Sequence, residues 1–202
     1  MQHPDTTALM IIDVQNDFCP GGALAVDGGD QIISQVNAMQ RDFSVCVLTQ
    51  DWHPADHSSF ADNQPGHEAF SLIDMPYGPQ VLWPRHCVKG SFGAQFHAEM
   101  RTDAADLILR KGFRREIDSY SAFFENDHRT PTGLAGYLRE RGVRDLVMVG
   151  LATDFCVRYS AVDGANLGFG VTVVQAACRA IDLNNSLAEA LADMRDCGVV
   201  LA

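Results

Sequence analysis

Short apolar runs punctuate the chain at intervals, several of them β-branched: Ala8-Leu9-Met10-Ile11-Ile12, Val45-Cys46-Val47-Leu48, Leu107-Ile108-Leu109, Leu146-Val147-Met148-Val149, Val171-Thr172-Val173-Val174 and a weaker Val199-Val200-Leu201. Runs that are apolar at every position, not at every second one, predict parallel strands buried on both faces. Between them the period changes to that of a helix. Residues 29–40 place Ile32, Ile33, Val36 and Met39 on one stripe. Thr130-Pro131 reads as an N-cap followed by proline at the first helical position, with Gly142 ending that helix. Residues 154–167 and 185–197 predict two more helices.

Alternation of strand and helix predicts an α/β fold: a three-layer αβα sandwich around a mostly parallel, doubly wound sheet of about six strands. No repeat, low-complexity tract or linker divides the chain, so residues 1–202 are expected to form a single domain. Residues 52–92 and 112–129 break the pattern. Both are long and weakly periodic, the first rich in His, Pro and Gly. Long ordered loops in a compact domain usually cover or build a site.

Composition narrows the function class. Apolar residues make up 47% of the 202 positions and charged residues 20%, a globular balance. The net charge of −11, without a basic stripe, argues against nucleic acid and anionic membrane surfaces as partners. There is no apolar stretch long enough to span a bilayer, and Met1 to Thr7 lacks the basic and apolar regions of a secretory signal. A cytoplasmic location follows as the expectation. The six cysteines are then expected to be reduced thiols, not disulfides.

The strand reading places chemistry. Asp13 follows the first strand, Asp51 the second, Lys111 closes the third, and Cys156 lies just beyond the fourth. Ligands of open α/β sheets bind beyond the carboxyl ends of the strands, so these four side chains are expected to converge. A buried cysteine is ordinarily inert. Here a helix N-terminus and Lys111 would favour its thiolate, and Asp13 could take and return a proton. Asp51, His53 and His86 offer a carboxylate and two imidazoles, a donor set for Zn²⁺, Fe²⁺ or Mn²⁺. His57 or a nearby serine is a candidate further ligand, and the residues leave that open. Phe18, Trp83 and Tyr120 stand in or beside the same loops and would wall a slot for a flat aromatic ligand. No G-x-G-x-x-G follows the first strand, which argues against a dinucleotide-binding dehydrogenase.

Taken together these residues resemble the nicotinamidase/pyrazinamidase family of the isochorismatase-like cysteine hydrolases. The resemblance rests on Asp13-Val14-Gln15-Asn16-Asp17-Phe18-Cys19 with Gly21-Gly22-Ala23-Leu24, on Asp51-Trp52-His53-Pro54, on Trp83-Pro84-Arg85-His86-Cys87, on Lys111-Gly112, and on Gly150-Leu151-Ala152-Thr153-Asp154-Phe155-Cys156-Val157. It implies a catalytic triad of Asp13, Lys111 and Cys156. It implies one divalent metal ion on Asp51, His53 and His86, zinc ahead of iron or manganese, whose other positions hold water and the substrate's ring nitrogen. It further implies a cis Leu151–Ala152 peptide, and an oxyanion hole from the backbone N–H groups of Ala152 and Cys156. The implied reaction is hydrolysis of nicotinamide, and of pyrazinamide, to the acid and ammonia through a cysteine thioester, in NAD salvage. A homo-oligomer is compatible with this reading. Two alternatives stand beside it: a carbamoyl or ureido amidohydrolase of the same superfamily, and a non-catalytic metal- or ligand-binding protein on this fold.

Overall fold

A computed structural model describes residues 3–202. Among the described residues eight strands and four α-helices follow one another: β1 (Thr7–Ile12), α1 (Ile33–Met39), β2 (Val45–Asp51), β3 (Leu72–Met75), β4 (Gly78–Val81), β5 (Leu107–Lys111), α2 (Leu134–Glu140), β6 (Asp145–Leu151), α3 (Arg158–Asn166), β7 (Gly170–Arg179), α4 (Ser186–Asp196) and β8 (Val200–Leu201). Six of the strands form one sheet in the order β5-β2-β1-β6-β7-β8, and every neighbouring pair in it is parallel. This is the predicted α/β sandwich, with the sheet flanked by helices. The central strands β1 and β2 are buried along their whole length, which is why their sequences are apolar at both alternate positions. Among the described residues no helix is long and apolar enough to cross a membrane.

Three local readings change. The helix expected to begin at Thr130-Pro131 begins instead at Leu134. Asp127 captures both the N–H and the hydroxyl of Thr130, at 2.8 and 2.6 Å, and Pro131 sits in an isolated bridge with Phe124. It is the hydroxyl of Thr132 that accepts the N–H of Leu134, at 3.3 Å. The expected helix at residues 154–167 opens with a π-helical turn, Thr153–Val157, before α3. The carboxylate of Asp154 holds that turn against the start of α4, accepting the N–H groups of Ile181 and Asp182 and the hydroxyl of Ser186. Finally, the loop of residues 52–92 carries a small antiparallel hairpin of its own, β3–β4. Its four-residue strands are too short and too mixed in polarity to stand out in the sequence.

At the carboxyl end of β6, Gly150 lies so close to β1 that a Cβ there would meet the Ile12 carbonyl oxygen at 2.1 Å. Its φ of +119° is also open essentially to glycine alone. The sheet order runs outward from β1 through β2 to β5, then restarts at β6 and runs the other way to β8. The crevice of this doubly wound sheet therefore opens between β1 and β6.

Candidate active site

Lys111, Asp51 and Asp13 occupy the carboxyl ends of β5, β2 and β1, three adjacent strands, and Cys156 lies five residues beyond β6, the fourth. The Lys111 ammonium is completely buried and sits among the others. It lies 2.8 Å from Asp13 Oδ2, donates to Asp51 Oδ1 and to the Ser119 carbonyl at 3.0 Å, and reaches Cys156 Sγ at 3.4 Å. Asp13 adopts a left-handed φ of +48°, and the Thr49 hydroxyl holds it there by donating to Asp13 Oδ1 at 2.6 Å and accepting the Asp13 N–H at 3.1 Å. Gln15 clamps the end of β2: its amide accepts the Asp51 N–H and donates to the Asp51 carbonyl. Ligand atoms of Asp13, Asp51 and Cys156 lie within 4.8 Å of one another, and the cation among them is the lysine itself.

Burial and charge pull the four groups apart. Burial alone would lower the Lys111 pKa, but Asp13 and Asp51 hold it well above its usual value. The two carboxylates diverge. Burial raises Asp13, with Lys111 opposing and Asp51 adding to the rise. For Asp51 burial is overcome by Lys111 and His53, and its pKa lies well below the usual carboxylate range. Neighbouring carboxylates of opposite shift are a common arrangement for dividing proton transfer from charge stabilisation. Cys156 departs from expectation. Burial pushes its thiol well above the ordinary cysteine range; Lys111 opposes this, but Asp13 and Asp51 reinforce it. The sequence argument weighed the lysine and the helix end and left out desolvation and the two carboxylates.

Asp51 also faces two imidazoles. His53 Nε2 is 3.5 Å and His86 Nε2 3.8 Å from Asp51 Oδ2, all in buried side chains. The other nitrogen of each ring is committed: His53 Nδ1 lies 2.8 Å from the Gly112 carbonyl and His86 Nδ1 2.8 Å from the Pro84 carbonyl. A carbonyl only accepts, so both Nδ1 atoms carry hydrogen, and in its neutral form each ring turns the Nε2 lone pair toward Asp51. Three converging lone-pair donors, each ring oriented by a carbonyl behind it, fit a divalent cation well. Gly112 makes the close approach possible: its φ is +65° and a Cβ would lie 2.4 Å from His53 Cε1.

His57 has a different surrounding. Its Nδ1 accepts from the Ser59 hydroxyl at 2.8 Å and from the Ser59 N–H at 3.2 Å, and its Nε2 lies 3.3 Å from the Ile117 carbonyl. It groups with His53 and Asp118, not with Asp51. Both oxygens of Asp118 are engaged as well, by the Ser119 N–H and by Gln80 Nε2. Burial lowers the His57 pKa to about 4.

A narrow cavity joins the two halves. Phe18, Trp83 and Tyr120 line it, as do Asp51, His53, His86, Ala152 and Cys156. The Leu151–Ala152 peptide is cis, and the Ala152 N–H donates to no group among the described residues. The cavity also takes in Leu24, Asp118, Phe155 and Ile181, which the sequence reading did not assign to it. Leu24 and Phe155 stand inside the quoted motifs and could have been found there. Asp118 comes from the aperiodic loop of residues 112–129, where nothing in the local pattern marks it.

A family model described as the isochorismatase domain matches residues 7–202, and the chain belongs to that family. It is 52% identical to a nicotinamidase of Acinetobacter baylyi, over 98% of this chain and 93% of that protein. Among solved structures, a nicotinamidase/pyrazinamidase of Acinetobacter baumanii superposes with a TM-score of 0.98 at 51% identity, covering 99% of this chain and 97% of that one. PnC1 from L. infantum, in complex with nicotinate, gives 0.87 at 39% identity, covering 100% and 95%. A pyrazinamidase of Pyrococcus horikoshii in complex with zinc gives 0.78 at 34% identity, covering 98% of each chain.

Proposed function

We propose that this isochorismatase-family protein is a nicotinamidase: it hydrolyses nicotinamide, and pyrazinamide as a close isostere, to the carboxylic acid and ammonia. The similarity to nicotinamidases over nearly the whole chain supports the substrate. The observation that carries the mechanism is the buried Lys111 ammonium held between Asp13, Asp51 and Cys156.

In this reading Cys156 Sγ attacks the carboxamide carbon while its proton passes to Asp13, whose raised pKa suits it to receive one. The negative charge gathering on the carbonyl oxygen falls to the backbone N–H groups of Ala152 and Cys156. Asp13 returns the proton to the departing nitrogen, the C–N bond breaks, and ammonia leaves a thioester. Water then attacks that carbonyl, Asp13 taking its proton, the C–S bond breaks to release the acid, and Asp13 returns the proton to the sulfur to restore the thiol. Lys111 keeps its positive charge throughout and stabilises the sulfur as it gains negative charge. Asp51, His53 and His86 would hold one divalent ion, zinc in first place. When bound, that ion supplies a Lewis-acidic anchor for the substrate's ring nitrogen. Phe18, Trp83 and Tyr120 hold the ring flat between them. Residues 1–202 act as one domain in this proposal, in the cytoplasm and in NAD salvage.

The test is ammonia release from nicotinamide by metal-loaded protein, with ureido and carbamoyl compounds alongside. Turnover of nicotinamide in preference to those compounds is expected. No turnover of nicotinamide, or a preference for the ureido compounds, would reject the substrate.

A further inference from the structure

Tyr120 was expected to be an aromatic wall, but its hydroxyl carries more information than its ring. The side chain is buried, edges the cavity, and meets Trp83 and Phe155 edge to face. Its oxygen lies 2.9 Å from Trp83 Nε1 and 2.7 Å from Gln80 Nε2. An indole N–H can only donate. The orientation of the Gln80 amide is fixed independently. Gln80 Oε1 accepts from Asn126 Nδ2 at 3.0 Å and from the Tyr77 hydroxyl at 3.2 Å, while Gln80 Nε2 lies 2.8 Å from the Val81 carbonyl. Asn126 is itself oriented, because its Oδ1 accepts the Tyr120 N–H at 3.0 Å. Turning the Gln80 amide around would set oxygen against the Val81 carbonyl and nitrogen against Asn126 Nδ2.

Gln80 Nε2 shares its two hydrogens among the Tyr120 oxygen, the Val81 carbonyl and Asp118 Oδ2, 3.1 Å away. The Tyr120 oxygen thus faces two donors, the indole N–H and the Gln80 amide, and its own hydrogen has to be donated in another direction. Among the described residues no acceptor for it lies within hydrogen-bond reach. A buried hydroxyl with an unused hydrogen is costly, and the cavity is where a partner can enter. We infer that Tyr120 donates this hydrogen to a lone pair on the bound aromatic amide, which makes it a specificity-determining contact held in place by Gln80, Asn126 and Trp83. The inference rests on the aromatic-amide reading of the site. With the shared ring nitrogen assigned to the metal, the lone pair can come from the carbonyl oxygen that nicotinamide and pyrazinamide share, or from the second ring nitrogen of pyrazinamide.

The experiment compares wild type with Tyr120→Phe, both full-length and metal-loaded, on the two amides. Phenylalanine keeps the ring and deletes only the hydroxyl. Loss of one neutral hydrogen bond predicts a fall of about three- to tenfold in kcat/KM, mainly through KM. An equal fall on both amides assigns the acceptor to a shared atom, and a fall confined to pyrazinamide assigns it to the second ring nitrogen. Unchanged kcat/KM on both overturns the inference. A binding readout separates this from a structural effect and from failure of the substrate reading. In Cys156→Ala protein labelled with ring-¹³C tyrosine, the phenolic C–O infrared band should shift when nicotinamide or pyrazinamide is added, and should still shift in a further Tyr159→Phe background. If Tyr120→Phe does not fold, this spectrum decides alone: no tyrosine band moving with either bound amide overturns the contact. Wild-type protein that binds the amides and shows the shift but turns over neither would fail the nicotinamidase reading and leave the contact standing.

Discussion

The two sides of the cavity are built differently. On one side Asp13, Asp51 and Lys111 each stand at the end of a buried parallel strand, and their spacing is set by sheet register. On the other side His86, Gln80, Trp83, Asp118 and Tyr120 come from the segments of residues 52–92 and 112–129, and are placed by side-chain hydrogen bonds and a two-stranded hairpin. Asp51 serves both, bonded to Lys111 on the strand side and facing His53 and His86 on the other. In the proposed mechanism proton transfer falls to the strand side, and recognition of the ring mainly to the looped side.

This division can be broken one side at a time. The largest effect is expected from Asp13→Asn, which keeps the shape of the strand end and removes the proton acceptor. Turnover should fall about a thousandfold or more while metal content, read by atomic absorption, stays at the wild-type level. Lys111→Met should act on stability as well as on rate. It leaves two buried carboxylates without their cation, and a loss of about 3–5 kcal/mol in denaturant unfolding is expected. A variant as stable as wild type would show that the buried charges are compensated by something else.

The looped side responds to acid. His57 has a pKa of about 4 when folded against 6.5 ordinarily, so on acidification the unfolded chain takes up the proton first. Stability is then complete above pH 6.5 and is lost as pH falls from there toward 4, by up to about 3 kcal/mol. Urea unfolding of metal-free protein across that range should show this fall, and His57→Gln should flatten it. The smallest effect is expected from Gly112→Ala. Its Cβ displaces the His53 ring, and metal affinity should drop about 10- to 100-fold, read by competition with a chromogenic chelator, while far-UV circular dichroism is unchanged.

The same division explains what could be read from the sequence. The apolar runs announced each of the six sheet strands, and Asp13, Asp51 and Lys111 were identified because each terminates such a run. The convergence of these ends with Cys156 then followed from the rule for open α/β sheets. The hairpin β3–β4 and the residues Gln80 and Asp118 were not legible. Their positions depend on hydrogen bonds across 38 to 46 residues of chain, as between Gln80 and Asp118, Tyr120 and Asn126, and no local periodicity encodes such pairs. The start of α2 was misread for a related reason: Thr130 has the composition of a cap, but Asp127 competes for it. The burial that pushes the Cys156 thiol up was not legible either, because desolvation is a property of the folded environment and a motif does not display it.

The central claim is that Cys156 forms the covalent intermediate, and it can be tested directly by acid-quenching metal-loaded protein during nicotinamide turnover and mapping the digested peptides by mass. The expected result is a nicotinoyl adduct on the peptide containing Cys156, absent from Asp13→Asn protein treated the same way, with no turnover by Cys156→Ala. Full turnover by Cys156→Ala, or an adduct on a different residue, would contradict it.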